Sequence, residues 1–433
     1  MTGRIGNISS VVSQRGCSGC GLCSSVCTVK AIHMEWSNMG NLYPHVDENC
    51  IECGECLQVC PWKNNLVDIA TNDKFEGNII RTFVGYSRND QVFYNSQSGG
   101  IVTQILYSLF ENNSIDAAIV CTSSKGFPYP DNKAFVATAK EELFFSQKSI
   151  YTPIDVLSIL ADTHKYLSLA IVALPCQVEA LRVAQKKGLY KNVSYVIGLI
   201  CDRILSREVM SLLSDKAPTV PYNVLFRDKR YGYKSAPITI SCGEKEQQII
   251  NPIRRHCLKD FYTHPRCYAC FDKLNIFADI VCGDPWNLKG DINWDKGASL
   301  VLVRTENGQR IINHLHETHS MHLIDNYNVT EVLNAQGLAY RKKRCAAAIK
   351  VYEKKGWEIP DWLHEIIKPI NINTEIYNEV VMNIENYLRH ENSSSIERMK
   401  DAKKIIDNKE TELRNQDRFY KRLYRKIKKI LHL

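Results

Sequence analysis

Apolar and polar positions follow different rules in different parts of the chain. From about Arg81 onward, short apolar runs alternate with segments of helical period. Ser96-Gln97-Ser98-Gly99-Gly100 leads into a helix whose apolar face is Ile101, Ile105, Leu106 and Leu109. Ile115–Cys121, Leu167–Ala173 and Val193–Ile200 are short apolar runs that read as strands. Val178–Lys187 reads as a helix ended by Gly188, since glycine readily takes the left-handed turn that closes a helix. Ala278–Cys282 and Ser299–Arg304 add two more strands. Strand and helix in alternation predict an α/β domain over residues 80–315 with a largely parallel sheet. A mostly helical region follows, an extension over 316–392 that includes Ile376–His390. Polar helices over 393–433 come next, broken from it at Ser393-Ser394-Ser395, where serine suits an N-cap.

Residues 1–70 are organised by cysteines instead. Cys17-Ser-Gly-Cys20-Gly-Leu-Cys23-Ser-Ser-Val-Cys27 is repeated 33 residues later as Cys50-Ile-Glu-Cys53-Gly-Glu-Cys56-Leu-Gln-Val-Cys60-Pro61. A polar stretch, Thr71–Gly77, then reads as a linker. Two C-x2-C-x2-C-x3-C runs are the spacing of a ferredoxin module with two [4Fe-4S] clusters. Each tight loop supplies three thiolates, and the fourth must come from elsewhere. In two-cluster ferredoxins the last Cys of each run serves the other cluster. Carried over, one cluster takes Cys17, Cys20, Cys23 and Cys60, and the other takes Cys50, Cys53, Cys56 and Cys27. Gly19, Gly21 and Gly54 let backbone amides approach the cluster sulfurs. Zinc sites usually pair C-x2-C units across longer gaps, so they do not explain two complete runs.

The remaining composition narrows the class. With 17 cysteines, an odd number, in a chain of 433 residues lacking a signal-like start, metal ligation is a better explanation than a disulfide framework. No apolar run is long enough to span a membrane. These features place the chain in the cytoplasm. The net charge of +8 is concentrated at one end: residues 414–433 carry eight Lys and Arg against one Asp, a local charge of +7. The body is near neutral, which excludes a nucleic-acid-binding surface there. In the tail, Phe419, Leu423, Ile427, Ile430 and Leu431 fall near one helical face among basic residues. That pattern predicts peripheral contact with an anionic membrane, at the inner surface.

Several short motifs occur in order after the ferredoxin repeat. They are Ser98-Gly99-Gly100, Pro175-Cys176-Gln177, Arg227-Asp228-Lys229, Arg266-Cys267-Tyr268-Ala269-Cys270, Ala278-Asp279-Ile280 and Gly283-Asp284-Pro285-Trp286. Over residues 10–310 the chain resembles the coenzyme F420 hydrogenase/dehydrogenase beta-subunit family. The resemblance implies an α/β domain that binds a flavin, usually FAD, fed by iron–sulfur clusters. It also implies a redox partner protein or ferredoxin, and a small-molecule substrate or the deazaflavin F420. Two alternatives for this chain are a non-catalytic electron-transfer subunit of a larger oxidoreductase and a membrane-associated protein of surface-polysaccharide synthesis, a context in which some bacterial members are met. Pro-Cys-Gln also surrounds the nucleophile of DNA cytosine-5 methyltransferases, but their nucleotide loop and later motifs are missing here.

Flavin contacts are expected at Ser98, Gly99, Gly100 and Thr103, where a helix N-terminus suits a pyrophosphate. The resemblance adds Lys148, Ser149, Tyr151 and Gln177, with Arg227 and Lys229 as phosphate or substrate contacts. A third [4Fe-4S] cluster is expected at Cys176, Cys201, Cys267 and Cys270. Cys176 and Cys201 each follow an apolar strand, and in open α/β sheets ligands bind beyond the carboxyl ends of strands. Cys267 and Cys270 form a C-x2-C pair, and members of the family carry a cluster near the flavin. Cys121, Cys242, Cys257, Cys282 and Cys345 show no spacing logic and are expected to be core or incidental residues. The chain is therefore expected to be an iron–sulfur flavin-dependent oxidoreductase.

Overall fold

The structure, a computed structural model, describes residues 5–64, 66, 74–213, 218–233, 236–243, 246–250, 257, 259, 261–290, 292–293 and 296–430. In the cysteine module, β1 (Ile32–Trp36) and β2 (Leu42–Val46) form an antiparallel hairpin between the two cysteine runs. Each run ends in a one-turn helix, Leu22–Ser25 or Glu55–Gln58. Both turns start from a left-handed glycine, Gly21 at φ +88° and Gly54 at φ +79°. A side chain at Gly21 would also strike Ser158 Oγ at 2.3 Å, so this loop can dock on the body only with glycine there.

The body is built on an eight-stranded sheet. Its strands are β3 (Arg81–Ser87), β4 (Ala117–Ser124), β5 (Asp131–Ala137), β6 (Leu169–Ala173) and β7 (Val193–Leu199). A separate antiparallel sheet, in the order β10-β9-β8, inserts β8 (Tyr222–Leu225), β9 (Ile238–Cys242) and β10 (Glu246–Ile250). The main sheet is completed by β11 (Ile280–Gly283), β12 (Ser299–Val303) and β13 (Met321–Asn326), and its order is β13-β3-β12-β11-β7-β6-β4-β5.

Only its centre, β11-β7-β6-β4, is parallel; both flanks pair antiparallel, so the sheet is mixed rather than largely parallel. The centre is buried on both faces, which is why its strands read as unbroken apolar runs. Ala118, Ala170 and Ile197 face the helices Ile101–Glu111 and Glu306–Glu317. Ala117, Ile119, Leu169 and Ile171 face the helix Pro175–Lys186. The strand β13 carries the sheet beyond residue 315, into a stretch expected to be helical.

The helices Leu338–Lys355, Asp361–Ile367 and Thr374–Glu391 then pack against the cysteine module and the Cys267–Cys270 loop. The module is clasped on several sides. Arg15 pairs with Glu391 at 2.6 Å, Asn41 donates to Tyr387 Oη at 2.6 Å, and Arg398 donates to the Asn38 carbonyl at 2.8 Å. On the body side, Leu157 N–H donates to the Cys20 carbonyl at 3.0 Å. The final helix, Ser395–Ile430, is one unbroken element capped by Ser394, whose Oγ accepts from Glu397 N–H at 3.3 Å. The apolar stripe expected in residues 414–433 falls on side chains outside the described residues. The linker expected at 71–77 lies partly outside them as well. Among the described residues no helix is long and apolar enough to cross a membrane.

Candidate functional site

Two cysteine-lined cavities lie side by side. Cys17, Cys20, Cys23, Cys56 and Cys60 line the first, together with Gly16, Gly19, Gly21 and Arg266. Burial pushes the Cys60 thiol up to about 12, with the nearby Cys20 adding to the effect. Burial raises Cys23 well above the ordinary thiol value too, with Cys20, Cys17, Cys60 and Cys56 as its charged neighbours. Cys60 therefore stands among the thiols of the first run, and Cys56 of the second run lines the same cavity. The other group is more open. Asn7 Nδ2 donates to Cys50 Sγ at 3.7 Å, Cys53 is exposed, and Cys27 Sγ accepts from Ala31 N–H at 3.2 Å. In a crossed arrangement Cys60→Ser removes about four irons and leaves the cluster of the second run intact, and Cys27→Ser does the converse. Iron analysis with EPR checks this against Cys17→Ser, and the same EPR signature lost in Cys17→Ser and Cys27→Ser would exclude crossing.

Cys176, Cys201, Cys267 and Cys270 all line the second cavity, of about 430 Å3 including its opening to solvent. The fold explains the convergence. Adjacent parallel strands β6 and β7 end at the same edge of the sheet, and each is followed by one of these thiols. The helix after β6 starts at Pro175, earlier than its apolar pattern suggests, so Cys176 sits in its first turn. The Cys267–Cys270 turn is fixed by His264 Nδ1, which accepts from Arg266 N–H at 3.0 Å. The Cys201 N–H, which donates to the Lys273 carbonyl at 3.0 Å, ties it to the sheet.

Among the described residues no three His, Cys, Asp or Glu converge tightly enough to hold a single metal ion. The four cysteines line one shared space instead, and a cube of iron and sulfide would need four thiolates around it. The lining also fits an anionic group. Arg266 and Arg341 line the cavity, and Arg266 Nη1 and Arg341 Nε are buried without a hydrogen-bond partner among the described residues. Burying such donors is costly unless something negative faces them.

The expected flavin residues also gather, with two exceptions. Ser98 Oγ, Arg227 and Tyr233 Oη all bond Asp284, with Arg227 Nη1 at 3.0 Å and Tyr233 Oη at 2.6 Å. Tyr233 stacks on Trp286 at 5.0 Å, and the Arg227 guanidinium lies 5.4 and 5.6 Å from the two ring centres. Lys229 Nζ donates to the Ser98 and Phe93 carbonyls at 2.7 and 2.8 Å. Gln97 bridges the Arg227 carbonyl and Ser149 N–H. Tyr151 packs edge-on against Phe226 at 4.9 Å, and Lys148 holds a left-handed backbone at φ +87° beside Ser149. Thr103 joins through Gln147, which donates to its hydroxyl at 3.3 Å.

Gly100, at φ +78°, leaves the helix Ile101–Glu111 without a side-chain cap, so its first amides remain available to an anion. Gly99 has a different task. Its N–H donates to Ser299 Oγ at 3.1 Å, and a side chain there would strike Gly85 O and Ser299 N at 2.6 Å. It is glycine because β3 and β12 close over it. Gln177 lies elsewhere, with its amide committed to Leu174 N–H at 2.9 Å and the Ile154 carbonyl at 3.0 Å.

Comparison with known proteins agrees with this architecture. Two family models for the beta subunit of coenzyme F420 hydrogenase/dehydrogenase match the chain, the N-terminal one over residues 82–161 and the C-terminal one over residues 166–327. The chain belongs to this family. Residues 16–64 match the 4Fe-4S dicluster domain, so the module is of the iron–sulfur type.

Relatives of this family member include one of the F(420)H(2) dehydrogenase subunits from Methanosarcina mazei, 25% identical over 315 residues, which cover 70% of this chain and 83% of that protein. The coenzyme F420-dependent sulfite reductase of Methanocaldococcus jannaschii is 25% identical over 328 residues, 71% of this chain but 47% of that protein. The chloroplastic 7-hydroxymethyl chlorophyll a reductase of Oryza sativa subsp. japonica is 29% identical over 205 residues, 46% of this chain and 42% of that protein. A chain of the F420-reducing [NiFe] hydrogenase complex of Methanosarcina barkeri shares the fold, with a TM-score of 0.50 and 20% identity over 66% of this chain and 94% of that chain.

Several site residues carried no legible signal. Asp284 and Arg266 sit inside quoted motifs, but nothing in the sequence marks one as a hub and the other as a shared wall. Arg341-Lys342-Lys343-Arg344 reads as a solvated basic run, yet Arg341 and Arg344 are buried. Cys345 is in the core as expected, but its Sγ donates to the Ala269 carbonyl at 3.5 Å, within the Cys267–Cys270 turn.

Proposed function

We propose that this chain is an iron–sulfur flavoprotein oxidoreductase. In this reading electrons pass between the N-terminal clusters, a third cluster held by Cys176, Cys201, Cys267 and Cys270, and bound FAD, for reduction of a small organic substrate or a deazaflavin. The observation that carries it is the common wall of the two cysteine cavities: Ser18 and Arg266 line both. When bound, the clusters supply single-electron carriage and the flavin couples it to two-electron chemistry.

The protein's own residues do the rest. Ser18 and Arg266 form the wall that keeps the two cavities adjacent. The open amides after Gly100 and the Lys229 ammonium suit phosphate oxygens. Asp284 holds Arg227, Ser98 and Tyr233 in one arrangement around that nest. Anaerobic purification tests the proposal, with about twelve irons per chain and extractable FAD as the expected result. A protein with full iron that yields no flavin would defeat it.

Lys229 gives the flavin assignment a pH signature. Burial, with the neighbouring Arg227, lowers its ammonium from 10.5 to about 8. The positive charge is complete only below that value, so affinity for a phosphate-bearing cofactor falls as pH rises through about 8. Flavin released on gel filtration should increase between pH 7 and pH 9, and Lys229→Met should flatten the difference. Equal release at both values would exclude Lys229 as a phosphate contact.

A second reading, an electron-transfer subunit within a larger enzyme, is favoured by one feature. Ile5 and Ile51 are exposed on the loops beside the exposed Cys53, and the Ile5 N–H donates to the Glu52 carbonyl at 3.1 Å. Chemically reduced chain that turns over a deazaflavin unaided would decide for the enzyme. Turnover only with a partner protein would decide for the electron-transfer role.

A further inference from the structure

We infer that Arg341, carried by the helix Leu338–Lys355, sets the reduction potential of the cluster in the Cys176, Cys201, Cys267 and Cys270 cavity. This rests on the third-cluster reading above, and the experiment separates the two. The helix lies beyond residue 327, where the matched family model ends. A cluster bound by four thiolates is anionic and gains one more negative charge on reduction. Burial opposes that extra charge, and a fixed cation nearby favours it.

The helix is placed to supply the cation. Arg341 is 2% exposed and lines the cavity, with Cys270 and Cys201 among its charged neighbours. Its Nη1 donates to the Asp202 carbonyl at 2.6 Å, which pins the guanidinium, while its Nε has no hydrogen-bond partner among the described residues. One turn later Arg344 is fully buried and donates to the same carbonyl at 3.0 Å.

The charges around the cavity are unequal. The cations are Arg203, Arg266, Arg341, Arg344 and Lys273; the acids are Asp202, Asp272 and Glu179. Asp202 also lines the cavity, but its carboxylate is shared among three cations, 2.7 Å from Arg203 Nε, 3.5 Å from Arg344 Nη1 and 3.8 Å from Arg341 Nη1. Asp272 lines it too, with Oδ2 accepting from Ile276 N–H at 3.0 Å, so the acids offset part but not all of the positive charge. Arg341 and Arg266 thus line the cavity with positive charge left over for an anion. Of the two, Arg341 is the one held by the extension.

The test is an EPR-monitored redox titration of the full chain, with iron analysis on every sample. The signal missing from Cys267→Ser/Cys270→Ser protein identifies the inner cluster. At the potential where that cluster is half reduced in the unaltered chain, Arg341→Met should lower its reduced-to-oxidised ratio about tenfold, close to 59 mV for one electron. Arg341→Lys, which keeps the charge, should stay near the unaltered ratio, and the N-terminal clusters should not move.

An unchanged inner-cluster ratio in Arg341→Met with full iron would overturn the assignment. If Arg341→Met loses iron, Arg341→Lys decides. Retained iron and potential support a role for charge, and loss there too would show that shape holds the cluster. About eight irons in the unaltered chain would instead remove the third cluster itself.

Discussion

Cys267→Ser/Cys270→Ser protein should hold about eight irons per chain where the unaltered chain holds about twelve. It should still bind flavin, because the Ser98, Asp284 and Arg227 group shares no residue with the cysteine cavity. Its flavin should be reduced far more slowly when electrons are supplied to the N-terminal module. The first cavity meets the second at Ser18 and Arg266, so removing the inner cluster removes the step between them. Iron analysis and stopped-flow absorbance read the two effects independently. Full iron with normal flavin reduction would show that the second cavity holds no cluster and that electrons reach the flavin by another route.

Asp284→Asn should destabilise the chain by about 3 kcal/mol and release the flavin, because it leaves the Arg227 guanidinium buried without its counter-charge. Removing one partner of a buried pair costs about 3–5 kcal/mol, and asparagine keeps an acceptor for Ser98 and Tyr233, so the lower end applies. The pair also carries a pH dependence. Burial works against the Asp284 carboxylate, but Arg227, Ser98 and Tyr233 outweigh it and hold its folded value below 3.8. A depressed carboxylate contributes stability that is complete above its unfolded value and is lost as pH falls through the folded one. Denaturant titration from neutral pH downward should therefore show the unaltered chain converging on the Asn variant in acid. Curves that stay parallel would mean the pair contributes no charge-dependent stability.

The cysteine module was readable because its ligands are local. Three thiols within one short loop are brought together by their spacing alone. The strands at the sheet centre were readable for a related reason: burial on both faces demands an unbroken apolar run. The antiparallel flanks were not, since β3, β12 and β13 have the same local composition whether their neighbours run with or against them. The role of Gly99 was misread for the same kind of reason. A serine- and glycine-rich turn before a helix looks identical whether its glycine is needed for a phosphate or for the strand that closes over it.

The charged residues divide along the same line. Lys229 and Arg227 were candidates because they sit in one short motif, whereas the carboxylate that organises them, Asp284, lies 57 residues further along the chain. Arg341 and Arg344 stand in a run of four basic residues, which in a sequence describes a solvated face. Only the packing of Leu338–Lys355 over the Cys267–Cys270 turn turns two of those four inward. The sequence by itself determined the thiolate spacing, the α/β alternation and the family, because each is a pattern of neighbours along the chain. Tertiary structure decided the strand directions, the shared wall between the two cavities and the buried arginines behind the inner one. Those depend on which distant segments meet, and a residue's local context carries no record of that.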